Sequence, residues 1–162
     1  MNESNQSRRR IVHRQPIHIP EGYERLVTRT LDACFRVHRE LGPGLLEGVY
    51  EGCLYWELRE MGLTVNRQAA VDVLYRGCRM ETAFRADLIV DDGQGSRVLV
   101  ELKSVAQMAP IFQAQVISYL RLLNLPIGLL VNFNTTLLKD GISRILNCQW
   151  ATDPASGEGA ED

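Results

Sequence analysis

No stretch of this 162-residue chain is apolar for long enough to cross a membrane, and no apolar core of signal-peptide length follows the early Arg8-Arg9-Arg10 cluster. A cytoplasmic protein without membrane contact is expected. Cysteine is sparse too: Cys34, Cys53, Cys78 and Cys148 are scattered, with no CxxC spacing and no paired histidine motif. That pattern supports neither a zinc site nor a disulfide framework and reads as reduced, mostly buried thiols. No internal repeat or heptad array is visible, which sets aside solenoids and coiled coils. Charge of one sign is also lacking. The formal net charge is −2, and it becomes +2 over residues 1–150 once the four carboxylates of the closing ATDPASGEGAED are set aside. Neither value announces a nucleic-acid binder.

What is present is ordinary for a globular protein: apolar residues make up 45% and charged residues 23%, enough for one domain with a proper core. The composition divides the chain into a flexible basic segment over 1–21, a folded domain over 22–150 and a disordered acidic tail over 151–162. The Arg8–Arg14 run reads as a solvated tail, with non-specific phosphate contact as the alternative.

Val27, Leu31, Cys34, His38 and Leu41 recur at spacings of four and three, which predicts an amphipathic helix from Gly22 to Leu41, ended by Gly42-Pro43-Gly44. His38, on that face, is expected to be a hydrogen-bonded core or near-site residue. A second helix is predicted from Leu46 to Met61 with Gly62 as C-cap, its apolar side formed by Leu46, Tyr50, Cys53, Leu54, Leu58 and Met61. Glu47 falls within that apolar arc and should lean toward whatever the helix packs on. Strand-like TVNRQAAVDVLYRG, CRMETAFRADLIVDD and RVLVELKS follow, with turns near Arg76-Gly77 and Asp92–Gly95, as in a three-stranded meander. Past Pro110, Ile111, Ala114, Val116, Ile117, Leu120 and Leu123 mark the apolar side of a third helix. PIGLLVNFN then reads as a buried strand reached by a helical crossover, and GISRIL as an added edge strand. The order predicts an α/β protein with a mixed sheet flanked by helices.

The informative part is the second hairpin. Centring its turn on Gln94 sets Asp87 opposite Glu101. Alternation then places Ala86, Leu88 and Val90 with Val98, Val100 and Leu102 on one face, and Arg85, Asp87, Glu101 and Lys103 on the other. Like charges facing each other across a strand pair are destabilising unless something positive lies between them, and a divalent cation would supply that charge. Lys103, two residues beyond Glu101, shares the face and suits a phosphate or an attacking water. The same alternation describes any half-buried strand, so this pattern alone leaves both readings open. Gln115 and Tyr119, four apart on the third helix, are open in the same way between a polar pair beside the core and site residues.

Gly44-Leu-Leu-Glu47-Gly-Val-Tyr50, Arg85-Ala-Asp87, Glu101-Leu-Lys103, Gln115-x-x-x-Tyr119 and Gly128-Leu-Leu-Val-Asn-Phe133 together resemble the GxxExxY family of the PD-(D/E)xK nuclease superfamily, in its motif order, from Leu26 to Phe133. The resemblance implies a restriction-endonuclease-like αβββαβ core and a phosphodiesterase that uses Mg²⁺, or Mn²⁺ in its place, usually on DNA. It implies that Asp87, Glu101 and the Leu102 backbone carbonyl bind the metal, and that Glu47 reaches it through water or holds a second metal. Lys103 becomes the catalytic lysine, and Gln115 and Tyr119 match a QxxxY element. Arg85 is a candidate for binding phosphate or Glu47, with a solvated cross-strand charge as the alternative. The implied partner is nucleic acid, DNA first, with a protein partner and a homo-oligomer left open. A module that keeps this fold and binds nucleic acid or protein without catalysis is the alternative.

Overall fold

The computed structural model describes residues 17–150, apart from the side chains of residues 81–83; the expectations for the two ends fall largely on residues 1–16 and 151–162, outside the described part. The elements are helix α1 (Glu21–Leu41), helix α2 (Glu47–Glu60), strands β1 (Thr64–Tyr75), β2 (Cys78–Asp91) and β3 (Arg97–Lys103), helix α3 (Pro110–Leu122), strand β4 (Ile127–Asn132), a short 3-10 turn (Leu138–Gly141) and strand β5 (Ile142–Leu146). This is the predicted order of two helices, three strands, a helix and a strand, with the edge strand added and the αβββαβ core within it.

The five strands lie in chain order across one sheet. β1, β2 and β3 pair antiparallel, β3 and β4 parallel, and β4 and β5 antiparallel, so the sheet is mixed. Parallel strands cannot be joined by a tight turn, and α3 is the crossover between β3 and β4. β4, covered on both sides, is buried at every position, as its continuous apolar run requires. One core lies under α1 and α2, where Leu26, Cys34, Leu54 and Leu58 meet Leu88, Val100, Leu102 and Val131. The other lies under α3, where Val116 and Leu120 meet Ala69, Val71, Leu99 and Leu130.

Gly62 ends α2 as predicted, at φ 77°. Its N–H donates to the Arg59 carbonyl, while the Leu63 N–H donates to that of Leu58, the two bonds of a Schellman closure. Four local expectations fail. The thiols are not mostly buried: Cys34 is, Cys53 is half-buried, and Cys78 and Cys148 are exposed because they lie at a turn-flanking strand end and after the last strand. Leu46 is 80% exposed because it precedes α2 and does not join its packed face. Ile111 and Ala114 are exposed because α3 turns Val116, Tyr119 and Leu120 toward the sheet instead. Ala86 packs in the α3 core with Leu99, not with Leu88 and Val90. The change of side falls where Gln68 of β1 takes a left-handed conformation, φ 49°, between the paired positions Arg67↔Leu88 and Ala69↔Ala86. Past it, alternate residues of β1 and β2 address the opposite side of the sheet.

Candidate active site at the end of the third strand

β2 and β3 pair as far as Leu88↔Val100 and then part. Continued by two residues, the antiparallel ladder would bond Leu102 to Ala86. Ala86 has turned away, and the Leu102 N–H donates instead to Asp87 Oδ2 at 2.8 Å. The Asp87 N–H in turn donates to Glu101 Oε1 at 3.1 Å. Two carboxylates thus stand side by side where the sheet opens, each holding a backbone N–H of the other strand. Glu101 is 3% exposed. Burial, and then the charge of Asp87, push its carboxyl from the usual 4.5 up to about 8, against the opposing pull of the Asp87 N–H and Lys103.

Glu47 approaches from α2, and the residues around it explain the Gly44, Glu47, Tyr50 spacing. Gly44 sits at φ 100°, a conformation open to glycine and costly for other residues. The Tyr50 hydroxyl donates to the Gly42 carbonyl at 2.6 Å and accepts from the Leu45 N–H at 3.1 Å, while its ring stacks on Phe133 at 4.7 Å. The Ser104 hydroxyl donates to the Leu45 carbonyl at 2.6 Å, tying this loop to the end of β3. Glu47 is therefore presented in the first turn of α2 toward Lys103. Burial raises the pKa of its carboxyl, as do the charges of Asp87 and Glu51; Lys103 and the Ser104 N–H oppose them.

Lys103 is held from two sides. Its Nζ lies 4.8 Å from the centre of the Phe112 ring on α3, in the range of a cation–π contact. Its carbonyl accepts from the Phe133 N–H at 2.8 Å. Buried Asn132 clamps the chain just beyond: its Oδ1 accepts from the Val105 N–H at 3.1 Å and its Nδ2 donates to the Val105 carbonyl at 3.0 Å. Gln115 Nε2 donates to the Tyr119 hydroxyl at 2.9 Å. That hydroxyl's pKa is raised chiefly by burial, but the charges of Glu101 and Asp87 contribute, so the pair borders the acids.

Arg85 does not join them. It is exposed and pairs across from Ala70 on β1, because β2 has left β3 before reaching it; the expectation that it shares one hairpin face with Glu101 and Lys103 is overturned. His38 Nε2 donates to the Thr135 carbonyl, 2.8 Å away, as a near-core histidine. Sequence reasoning missed a second tier. Glu51, one turn past Glu47 and buried, accepts from Arg67 Nε at 3.0 Å and from Gln68 Nε2 at 2.8 Å. The same Gln68 nitrogen lies 3.4 Å from Asp87 Oδ1. Two acids four apart on one helix were the available signal, since like charges at that spacing need a partner.

No group of three or more His, Cys, Asp or Glu side chains poised around one metal position occurs among the described residues. The donors that do adjoin are two carboxylates, hard oxygen ligands of the kind suited to Mg²⁺, which keeps several waters and needs few protein ligands. The raised proton affinity of Glu101 marks a position where positive charge is wanted. No helix among the described residues is long and apolar enough to cross a membrane. A groove of about 480 Å³ between α1 and α2, lined by Trp56, Cys53 and Arg36, takes in none of the candidate site residues. No curated protein and no solved structure matches the chain. A family model does, over residues 24–145, and its description is the PD-(D/E)XK nuclease superfamily.

Proposed function

The chain belongs to the PD-(D/E)XK nuclease superfamily, and from that premise we propose that it hydrolyses phosphodiester bonds of nucleic acid, DNA first, with Mg²⁺ or Mn²⁺. The observation that carries the proposal is the touching pair Asp87 and Glu101, with Lys103 two residues further along β3 and Glu47 facing it from α2. Asp87, Glu101 and the Leu102 carbonyl would hold the metal; that carbonyl lies on the same edge of β3 as the N–H bonded to Asp87. Once bound, the ion neutralises the two acids and draws charge from the phosphate oxygens.

The remaining work falls to the chain's own residues. Lys103 orients the attacking water and meets the negative charge that grows on the phosphate as the new P–O bond forms and the old one breaks. Glu47, whose proton affinity is raised by burial, holds that water from the helix side and takes its proton. Gln115 and Tyr119 line the edge of the acids and contact the substrate strand. The test is incubation with labelled single- and double-stranded DNA and RNA in Mg²⁺, Mn²⁺ or chelator, beside Lys103→Ala. The variant should bind nearly as well as the parent and cleave at least about a hundredfold more slowly.

A second reading, a binding module without catalysis, draws on the absence of a three-ligand cluster among the described residues. Binding by the parent with no cleavage of any strand in either metal would favour it.

A further inference from the structure

We propose that the groove between β2 and α3 seats one unpaired nucleobase next to the scissile phosphate, making single-stranded nucleic acid the preferred substrate class. The inference rests on the nuclease reading for the word substrate, but base binding in the groove is measurable without cleavage.

The groove, about 240 Å³, is lined by Phe84, Ile111, Gln115, Ser118, Tyr119 and Leu122. Phe84 is 48% exposed, Ile111 66% and Leu122 43%, so three large apolar side chains ring one concavity in solvent. Clusters of that kind mark binding surfaces more often than scattered apolar residues do. Phe84 tilts against Tyr119 with ring centres 6.2 Å apart, so their planes form an open wedge rather than a closed stack. The space is smaller than pockets built for drug-sized ligands, and suits a single flat ring.

Its position and charge decide the occupant. Tyr119 is a shared wall, since the Glu101 and Asp87 charges reach its hydroxyl. Phe112, which carries Lys103 against its ring, sits one helical turn before Gln115 on the same helix. A strand whose phosphate lies at Lys103 would therefore bring a neighbouring base to this opening. No Asp or Glu occurs between Glu101 and Asp140, and the charged residues of that stretch are Lys103, Arg121 and Lys139. The phosphate backbone consequently meets no carboxylate of α3. With the Gln115 Nε2 donating to the Tyr119 hydroxyl and the Ser118 hydroxyl to the Ala114 carbonyl, the Gln115 and Ser118 oxygens supply neutral acceptors for a base edge. A base inside a duplex has both faces covered and cannot enter, whereas an unpaired one stacks on aromatic faces with little regard to sequence.

The test uses the full chain in chelator, so that cleavage is suspended, and reads fluorescence anisotropy with three probes: a short labelled oligothymidylate, an abasic strand of equal length and a duplex. Oligothymidylate should bind more tightly than the abasic strand. Phe84→Ala should weaken oligothymidylate about tenfold, the scale of one lost stacking contact, and leave the other two probes unchanged. Phe84→Trp should restore binding and Phe84→Leu, which keeps the apolar bulk without the ring face, should not. Equal loss on all probes, rescue by leucine, no preference for oligothymidylate, or a dimer that Phe84→Ala dissociates in sedimentation would each overturn the proposal. Phe84-dependent binding without cleavage in Mg²⁺ or Mn²⁺ keeps the groove and removes the nuclease reading; cleavage with Phe84-independent binding does the reverse.

Discussion

Replacing Glu101 by glutamine isolates the electrostatic cost of the acid pair, because the amide oxygen can still accept the Asp87 N–H that Glu101 Oε1 now receives at 3.1 Å. In the folded chain Glu101 holds its proton up to about 8, against 4.5 for an ordinary glutamate. Between those values the folded state binds the extra proton and the unfolded state does not, so stability falls as pH rises from about 4.5 to about 8. At 1.36 kcal/mol per pH unit the whole span is worth on the order of 3–5 kcal/mol, or roughly 10 °C of melting temperature for a domain of this size. The assay is thermal and urea unfolding at pH 5 and pH 8, in chelator and with Mg²⁺. The parent should lose stability toward pH 8 in chelator and regain it with Mg²⁺, which binds the folded state only. Glu101→Gln should lose most of that pH dependence, keeping the smaller part that the raised Glu47 carboxyl contributes, and should be more stable than the parent at pH 8 without metal and unresponsive to Mg²⁺. Equal pH dependence in parent and variant would refute the account of Glu101, and an unchanged Mg²⁺ response would refute its place in the metal site.

Glu47→Gln should keep α2 intact by circular dichroism and lose most turnover; the parent's cleavage rate should rise with pH through a value above the usual carboxylate range, because the Glu47 pKa is raised, and the variant's residual rate should not follow that rise. A variant with normal turnover would leave Glu47 only the role of a first-turn acid that complements the dipole of α2. Gly141→Ala should cost about 1–3 kcal/mol in unfolding experiments, since an added Cβ would sit 2.2 Å from the Asn132 carbonyl oxygen. Because Asn132 clamps Val105, cleavage should also fall at temperatures where the variant is fully folded.

The elements were legible because each carries its own period and punctuation. Gly62 ends α2, Gly93 and Gly95 turn the second hairpin at positive φ, and the unbroken apolar run of β4 announces a strand covered on both sides. The candidate site was legible where it depends on those elements alone: the turn at Gln94 fixes the sum of paired positions, Leu88↔Val100 keeps it, and one step beyond the last pair the Asp87 N–H meets the Glu101 carboxylate. What alternation could not supply was the left-handed Gln68, since glutamine gives no sequence cue for that conformation. Nor could alternation supply the change of side in β2 next to Gln68, by which Ala86 joins the other core and Arg85 lies exposed across from Ala70. Phe112 under Lys103 and the Glu51–Arg67–Gln68 tier were equally hidden, because each joins segments far apart in sequence whose relative placement only the packed sheet determines. The groove beside Tyr119 follows from the same turn of β2, and the exposed Ile111 that misled the reading of α3 lines it.

The two acids and the lysine enter the fold by different routes. Asp87 and Glu101 meet across one hairpin closed at Asp92–Ser96, a local contact. The restraints on Lys103 from Phe133 and Asn132 wait for the α3 crossover and the docking of β4. Local contacts close faster than those that require a long loop to be ordered first. The repulsion between the carboxylates is therefore met early on the way to the native state, before the parts that compensate it are assembled, and the hairpin is expected to form more readily when Glu101 carries its proton. Refolding in chelator should then be faster at pH 5 than at pH 8 in the parent and indifferent to pH in Glu101→Gln; equal pH dependence in both would place the acid pair after the rate-limiting step. The feature proposed to attract a cation at the open end of the sheet thus also makes proton supply a control on how fast that sheet is built.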